Sequence, residues 1–152
     1  METVTNLDTD TVSALKQLIR INIDSSKGFE HAASDIEDDG LAREFNNYAG
    51  QRSTYARDLA GYLSLNEADI PDSGTVQGTV HRWWLDVRSK VASGDRHSVL
   101  AEAERGEDAI KGRYERLLKD TAGSAVNDVL QKQYTEVKKA HDHIRDLRDA
   151  AV

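Results

Sequence analysis

The sequence predicts an all-α protein, a four-helix bundle with an additional helix in one of its connections. Three observations lead to this fold class. The 152 residues include one proline and ten glycines, so long segments run without a helix breaker. Charged residues make up 31% of the chain and hydrophobic residues 38%, a balance typical of amphipathic helices with solvated outer faces. Apolar residues recur at steps of three and four, the spacing of a helix that buries one face.

Caps, breaks and apolar stripes divide the chain into five helices in a single domain. They are predicted over residues 9–38, 40–65, 75–92, 95–119 and 124–150. Asp8 or Thr9 can cap the first helix, Asp95 the fourth and Ser124 the last. We infer a break before Asp95, because an unbroken helix from residue 75 to 119 would be about 65 Å long. The third helix is then a crossover, and the fourth lies parallel to the second.

Each helix of the bundle proper has a polar residue in the middle of its apolar stripe. These residues are Asn22 or Ser26, Arg52, Glu107 and Gln133. Glu107 requires a partner, because an unpaired buried charge is strongly destabilising. Short turns pair the helices antiparallel, which brings the interruptions to one level. We therefore predict a polar layer at mid-bundle with an Arg52–Glu107 ion pair. In the alternative, Arg52 extends to the surface and Glu107 leans outward.

Three segments carry a resemblance to a known family. They are Gly78–Trp84, Glu104–Asp108 with Tyr114, and His141–Asp149. Through them the chain resembles a family of uncharacterised bacterial four-helix-bundle proteins, a domain of unknown function, related to the ferritin-like fold. The resemblance implies a ferritin-like four-helix bundle and no established activity. In ferritin-like proteins a mid-bundle layer of carboxylates holds two metal ions.

That metal layer requires a Glu-x-x-His motif on two helices. None of the five histidines follows a glutamate by three residues. We therefore expect an internal Arg–Glu pair in place of the di-metal site, and no cofactor. The alternative is a divergent carboxylate-bridged protein that binds iron or manganese. Its ligands would be Glu30, His31, Glu104 and Glu107, which converge if the first helix is rotated.

Net charge and cysteine content exclude several classes of binding partner and functional site. A formal net charge of -7 without a basic cluster argues against nucleic acid and against membrane. The lack of cysteine excludes disulfides, thiolate metal sites and cysteine nucleophiles. With no visible signal peptide or membrane-spanning run, we expect a cytoplasmic protein. Trp83 and Trp84 should anchor the crossover helix on the bundle or mark an oligomer interface.

Common catalytic and nucleotide-binding motifs are missing, including the Walker loop, His-Glu-x-x-His and Gly-x-Ser-x-Gly. The sequence therefore favours a protein that is not an enzyme. We expect a non-catalytic bundle, stress-associated like other ferritin-like relatives, that acts through self-association as a homo-oligomer or through a protein partner. A third hypothesis is a carrier of a small apolar ligand, held between the bundle and the crossover helix.

Overall fold

Four long α-helices make up most of the computed structural model, which describes residues 2–72, 89 and 95–151. Helix α1 spans Thr9–Asp35, α2 spans Asp39–Leu65, α3 spans Arg96–Asp120 and α4 spans Asn127–Ala150. Within these residues there is no strand, only an isolated bridge between Thr3 and Asn6. The all-helical, four-helix prediction is confirmed. None of the described helices is both long enough and apolar enough to cross a bilayer.

The helices run as two pairs, α1 along α2 and α3 along α4. Asn66, which follows α2, binds the backbone of Leu7 and Val4 just before α1, so this pair is antiparallel. At the opposite end, Arg96 at the start of α3 forms an ion pair with Asp38 at the start of α2. Helix α3 therefore runs parallel to α2, as the sequence predicted. The predicted crossover helix, with Trp83 and Trp84, lies outside the described residues.

Helix α1 starts at Thr9 as predicted, but it is capped differently and ends earlier than predicted. Asp8 occupies the cap position, but its side chain makes no cap hydrogen bond. Instead the carboxylate of Glu2 accepts the N–H of Asp8 and the hydroxyl of Thr11, each at 2.8 Å. The helix ends at Asp35 rather than at residue 38, because Asp38 caps α2. Asp38 is thus the cap of the second helix rather than the last residue of the first.

The beginnings of α3 and α4 show one agreement and one correction. Asp95 caps α3, and its side chain accepts the N–H of His97 at 3.1 Å. Helix α4 begins at Asn127 rather than at residue 124. The reason is the turn: Gly123 has a φ of 79°, and the Ser124 hydroxyl accepts the N–H of Val126 at 3.1 Å instead of capping a helix. Ser124 is therefore a turn residue.

Two apolar clusters fill the bundle. The first lies towards the start of α1 and includes Leu15, Leu18, Leu59, Leu63, Ile110 and Leu130, all fully buried. The second lies towards the end of α1 and includes Phe29, Phe45, Leu100 and Ile144. Along α1, α2 and α3, the residues between the clusters include Ser25, Arg52 and Glu107. The polar layer thus separates two apolar cores.

Candidate functional site

Arg52 and Glu107 form a buried, two-point ion pair between α2 and α3. The Arg52 Nη1 donates to Glu107 Oε1 at 2.9 Å, and Nη2 donates to Oε2 at 2.6 Å. Both side chains are 0% exposed. The planar fork of the guanidinium matches the two carboxylate oxygens. The buried pair predicted from the sequence is confirmed, and the alternative in which both side chains turn outward is wrong.

The Arg52 guanidinium has further neighbours that hold it in place. Its Nη1 also donates to Ser25 Oγ at 3.1 Å, and its Nε donates to Gln51 Oε1 at 3.2 Å. Its Cζ lies 5.6 Å from the ring centroid of Phe29, within cation–π range. Burial alone would lower the pKa of Arg52, but the Glu107 carboxylate outweighs burial and holds the pKa above its usual value. Arg52 therefore stays charged in the core.

The serine beside Arg52 is Ser25, one residue before the predicted Ser26. Ser26 is half-buried, and its hydroxyl donates to the backbone carbonyl of Ala49 at 2.8 Å. One residue corresponds to about 100° of rotation around a helix, so the choice depends on how α1 is turned towards α2. Both serines lie near the edge of the apolar stripe. The sequence pattern alone therefore could not decide between them.

A hydrogen-bonded chain through Tyr114 joins the two amides of the predicted layer. Asn22 Nδ2 donates to the Tyr114 hydroxyl at 2.8 Å, and that hydroxyl donates to Gln133 Oε1 at 2.9 Å. Burial raises the pKa of Tyr114 well above its usual value, so the hydroxyl keeps its proton. The sequence did not predict this role for Tyr114. The available signal was its position two helical turns after Glu107 on the same face.

The layer does not fit a di-metal centre of the ferritin-like kind. Of its members, Glu107 is the carboxylate, and Arg52 binds both of its oxygens. A guanidinium has no free lone pair for a metal ion. In the alternative ligand set, Glu30 and His31 are exposed on α1, whereas Glu107 is fully buried. The iron- or manganese-binding alternative stays a prediction.

A second polar cluster lies where α3 meets α4. Glu104, Asp108 and His141 each offer one ligand-type atom, and these atoms lie within 4.8 Å of one another. His141 Nε2 is 2.5 Å from Asp108 Oδ1 and 3.9 Å from Glu104 Oε1. The sequence predicted no metal-binding role for His141 and did not group it with the acids of α3. The missing information was the register between the two helices.

Two neighbours orient the second cluster. Asp142 lies 3.0 Å from His141 Nδ1, and because a carboxylate only accepts, Nδ1 is the donor. This hydrogen bond holds the pKa of Asp142 below its usual value. On the other side, Arg148 Nη1 donates to Glu104 Oε2. The His141 imidazole and the Glu104 carboxylate are thus each fixed by a contact on the side that faces away from the cluster.

A cleft of about 860 Å³ opens between α2 and α4. Its lining includes Tyr55, Tyr62 and Leu65 from α2, and Val129, Lys132 and Gln133 from α4. Gln133 is 3% exposed, and its Nε2 has no hydrogen-bond partner among the described residues. The cleft therefore reaches from the surface to the polar layer.

Comparison with known proteins gives a family. A protein-family model described as a domain of unknown function (DUF2383) matches residues 10–120, well over half of the chain. The chain belongs to the DUF2383 family. The predicted resemblance to a domain of unknown function is confirmed, and no curated protein matches the chain.

The DUF2383 match covers α1, α2 and α3. It includes Arg52, Glu107 and Tyr114, so the central pair and the core of its hydrogen-bonded chain lie inside the domain. Gln133 and His141 lie beyond the matched residues, on α4. The family description assigns no activity to either polar cluster.

Proposed function

We propose that this DUF2383 protein is a non-catalytic, ferritin-like bundle that acts by association, with a second copy of itself or with a protein partner. The main support for the proposal is that the charged groups at mid-bundle are inaccessible. Arg52 binds both oxygens of Glu107, and both side chains are 0% exposed. A catalytic metal needs an open coordination position, and a general acid or base must reach its substrate. The central pair offers neither.

The helix arrangement supports the ferritin-like part of the proposal. Late α3 contacts early α4 through Tyr114 and Gln133, and early α3 contacts late α4 through Glu104 and Arg148, so this pair is antiparallel like α1 and α2. The two pairs are connected so that α3 runs parallel to α2. This is the connectivity of four-helix bundles with one long crossover. In place of carboxylate ligands, the mid-bundle level holds one ion pair and a chain of neutral hydrogen bonds. We infer a bundle that retains the ferritin-like helix connectivity and has the Arg52–Glu107 pair in place of the metal layer.

An apolar surface at one end of the bundle supports association. In the described residues, the exposed large hydrophobic side chains are Val4 at 39%, Leu65 at 55% and Ile70 at 47%. Val4 and Leu65 lie together because Asn66, next to Leu65, binds the Val4 carbonyl. Ile70 follows Leu65 by five residues in the chain. We call these three residues the apolar end. Exposed apolar side chains favour contact with protein, and the net charge of -7 disfavours nucleic acid and anionic membrane.

Sedimentation velocity over a range of concentrations tests self-association. We expect the native chain to form a larger species as concentration rises, and Leu65→Asp to remove that species. Thr54→Asp is the matched control: it adds the same charge at an exposed position of α2 and should leave association unchanged. A native chain that stays monomeric throughout would contradict the proposed self-association.

The iron- or manganese-binding alternative has its own test. Metal content is measured in protein produced with iron, manganese and zinc supplied, for the native chain, for Glu107→Ala and for Asp108→Asn. Near-stoichiometric iron or manganese that is lost in Glu107→Ala but retained in Asp108→Asn would overturn the non-catalytic proposal. The cytoplasmic location and stress-associated role stay predictions for experiments in cells.

The cleft between α2 and α4 favours a second candidate function, a carrier of a small apolar ligand. Its aromatic wall and the unpartnered Gln133 amide suit a ligand with one hydrogen-bond acceptor. An environment-sensitive naphthalene dye serves as the probe. We expect its fluorescence to rise on binding the native chain, and Tyr62→Ala to weaken binding while Tyr134→Ala, which does not line the cleft, leaves it intact. Equal binding by all three chains would contradict a carrier role for this cleft.

A further inference from the structure

We propose that Glu104, Asp108 and His141 form a binding site for one divalent transition-metal ion, with Zn²⁺ as its probe. The site lies between α3 and α4, apart from the closed Arg52–Glu107 pair. It supplies one imidazole nitrogen and two carboxylate oxygens, all within 4.8 Å of one another. The proposal is independent of association, since none of the three residues belongs to the apolar end.

The position of His141 Nε2 is the first argument. The His141 side chain is 9% exposed, and Nε2 is buried without a hydrogen-bond partner. Asp108 Oδ1 lies 2.5 Å from Nε2, and Glu104 Oε1 lies 3.9 Å from it. Nε2 therefore faces two carboxylate oxygens of α3 without forming a hydrogen bond with either.

The protonation of the ring is the second argument. Because Nδ1 donates to Asp142 at 3.0 Å, a neutral His141 has its lone pair on Nε2, the nitrogen that faces Glu104 and Asp108. Histidine ligands commonly donate their second N–H to a carboxylate, which fixes the tautomer and the ring orientation. Asp142 supplies this support. The lone pair thus faces two carboxylates, those of Glu104 and Asp108.

Glu104 and Asp108 complete the site from one helix. They are four residues apart on α3 and so share a face. Arg148 binds Glu104 Oε2, which leaves Oε1 turned towards His141. The Glu104 side chain is 12% exposed and that of Asp108 is 59% exposed. Two ligands are thus buried between the helices, and the third is an exposed group on the side from which an ion can enter.

The distances suit a small transition-metal ion after a modest adjustment. Ligand atoms around a tetrahedral ion with bonds of about 2.1 Å are about 3.4 Å apart. The 2.5 Å separation between His141 and Asp108 must widen and the 3.9 Å separation between His141 and Glu104 must shorten. The exposed Asp108 side chain is free to make this change. Mixed imidazole and carboxylate ligands without thiolate favour zinc, iron, manganese or nickel over calcium.

Isothermal titration of Zn²⁺ into the chelator-treated full chain tests the site, at a pH of about 7.5, where ordinary imidazoles are neutral. We expect about one ion per chain. Asp108→Asn and His141→Gln should each weaken binding by at least about tenfold, because each removes a ligand. His143→Gln is the matched control, since His143 lies two residues away on α4 and contacts Glu44 instead. It should bind zinc like the native chain.

Asp108→Asn keeps the test decisive, because a change at a 59% exposed side chain does not endanger folding. Circular dichroism checks that its helix content is unchanged. As a second readout, Co²⁺ bound at the site should give visible absorption bands that Asp108→Asn removes and His143→Gln retains. Three results would overturn the proposal: no zinc binding by the native chain, equal binding by all variants, or cobalt bands that survive Asp108→Asn. The first would mean that His141 serves only as a hydrogen-bond partner of Asp142.

Discussion

Replacing both members of the Arg52–Glu107 pair should destabilise the protein less than replacing either one. Arg52→Met and Glu107→Met each leave a charged partner at 0% exposure. Breaking a buried pair in this way costs about 3–5 kcal/mol, whereas replacing a whole buried pair with apolar side chains of similar size is often neutral or stabilising. Methionine keeps the unbranched shape of both side chains and adapts to irregular space. We therefore expect the double variant to lie within about 1–2 kcal/mol of the native chain.

The two single variants should differ in their response to pH. Arg52→Met leaves Glu107, which can lose its charge by binding a proton. Because the folded state then binds a proton that the unfolded state lacks, stability should increase as pH falls from about 7 to about 5. Glu107→Met leaves Arg52, which keeps its contacts with Ser25 and Gln51 but cannot be deprotonated. Its loss of stability should persist across the same pH range.

Urea unfolding followed by far-ultraviolet circular dichroism measures these free energies, with two-state behaviour checked by a second probe. Gln51→Met is the control, because it removes a hydrogen bond to Arg52 at the edge of the layer and leaves the ion pair intact. Its effect should be about 1 kcal/mol. Losses that simply add in the double variant, or singles no worse than Gln51→Met, would refute the argument that the two charges depend on each other.

Three further predictions concern the hydroxyl chain, alkaline pH and the turn between α3 and α4. Tyr114→Phe should cost about 1–3 kcal/mol in urea unfolding, because two buried amides lose their shared hydroxyl, whereas Tyr134→Phe should change stability by less than about 0.5 kcal/mol. Stability should fall from pH 10 upward in alkaline titration: burial raises the pKa of Tyr48 from 10.0 to about 12, so the unfolded chain ionises first, and Tyr48→Phe should flatten the fall. Gly123→Ala should lower stability by about 1–2 kcal/mol in thermal or urea unfolding because of its φ of 79°, while Gly50→Ala, with open space around it in α2, should raise stability by up to about 1 kcal/mol.

Features that depend on one helix at a time could be predicted from the sequence. Within the described residues, the four bundle helices, most of their ends and the central ion pair belong to this class. A charge in the middle of an apolar stripe is visible without knowing the neighbouring helix, and burial then requires an opposite charge, which limits Glu107 to Arg52. The end of α1 and the start of α4 were wrong by less than one turn, because an aspartate or serine between two helices can serve either helix or the turn itself.

Features that depend on two helices together could not be predicted in the same way. The choice between Ser25 and Ser26 follows from the rotation of α1, and the meeting of His141 with Asp108 follows from the register of α4 against α3. Both quantities come from how bulky side chains interlock across the bundle, and a single sequence does not list those contacts. Hydrophobic periodicity fixes which face of a helix is buried and leaves its axial position open.

The polar layer is what fixes that axial position. The apolar clusters on either side consist largely of leucine, isoleucine, phenylalanine and alanine, and such side chains can repack after a shift along the helix axis. The layer cannot. A slip of one turn between α2 and α3 would separate Arg52 from Glu107 and bury two unpaired charges, and a slip of α4 would remove Gln133 from the Tyr114 hydroxyl. A buried ion pair adds little net stability compared with apolar residues. In a shifted register, however, both charges would be buried without a partner, and that arrangement would be strongly destabilised. The internal pair therefore selects one register among several that the apolar cores alone would accept.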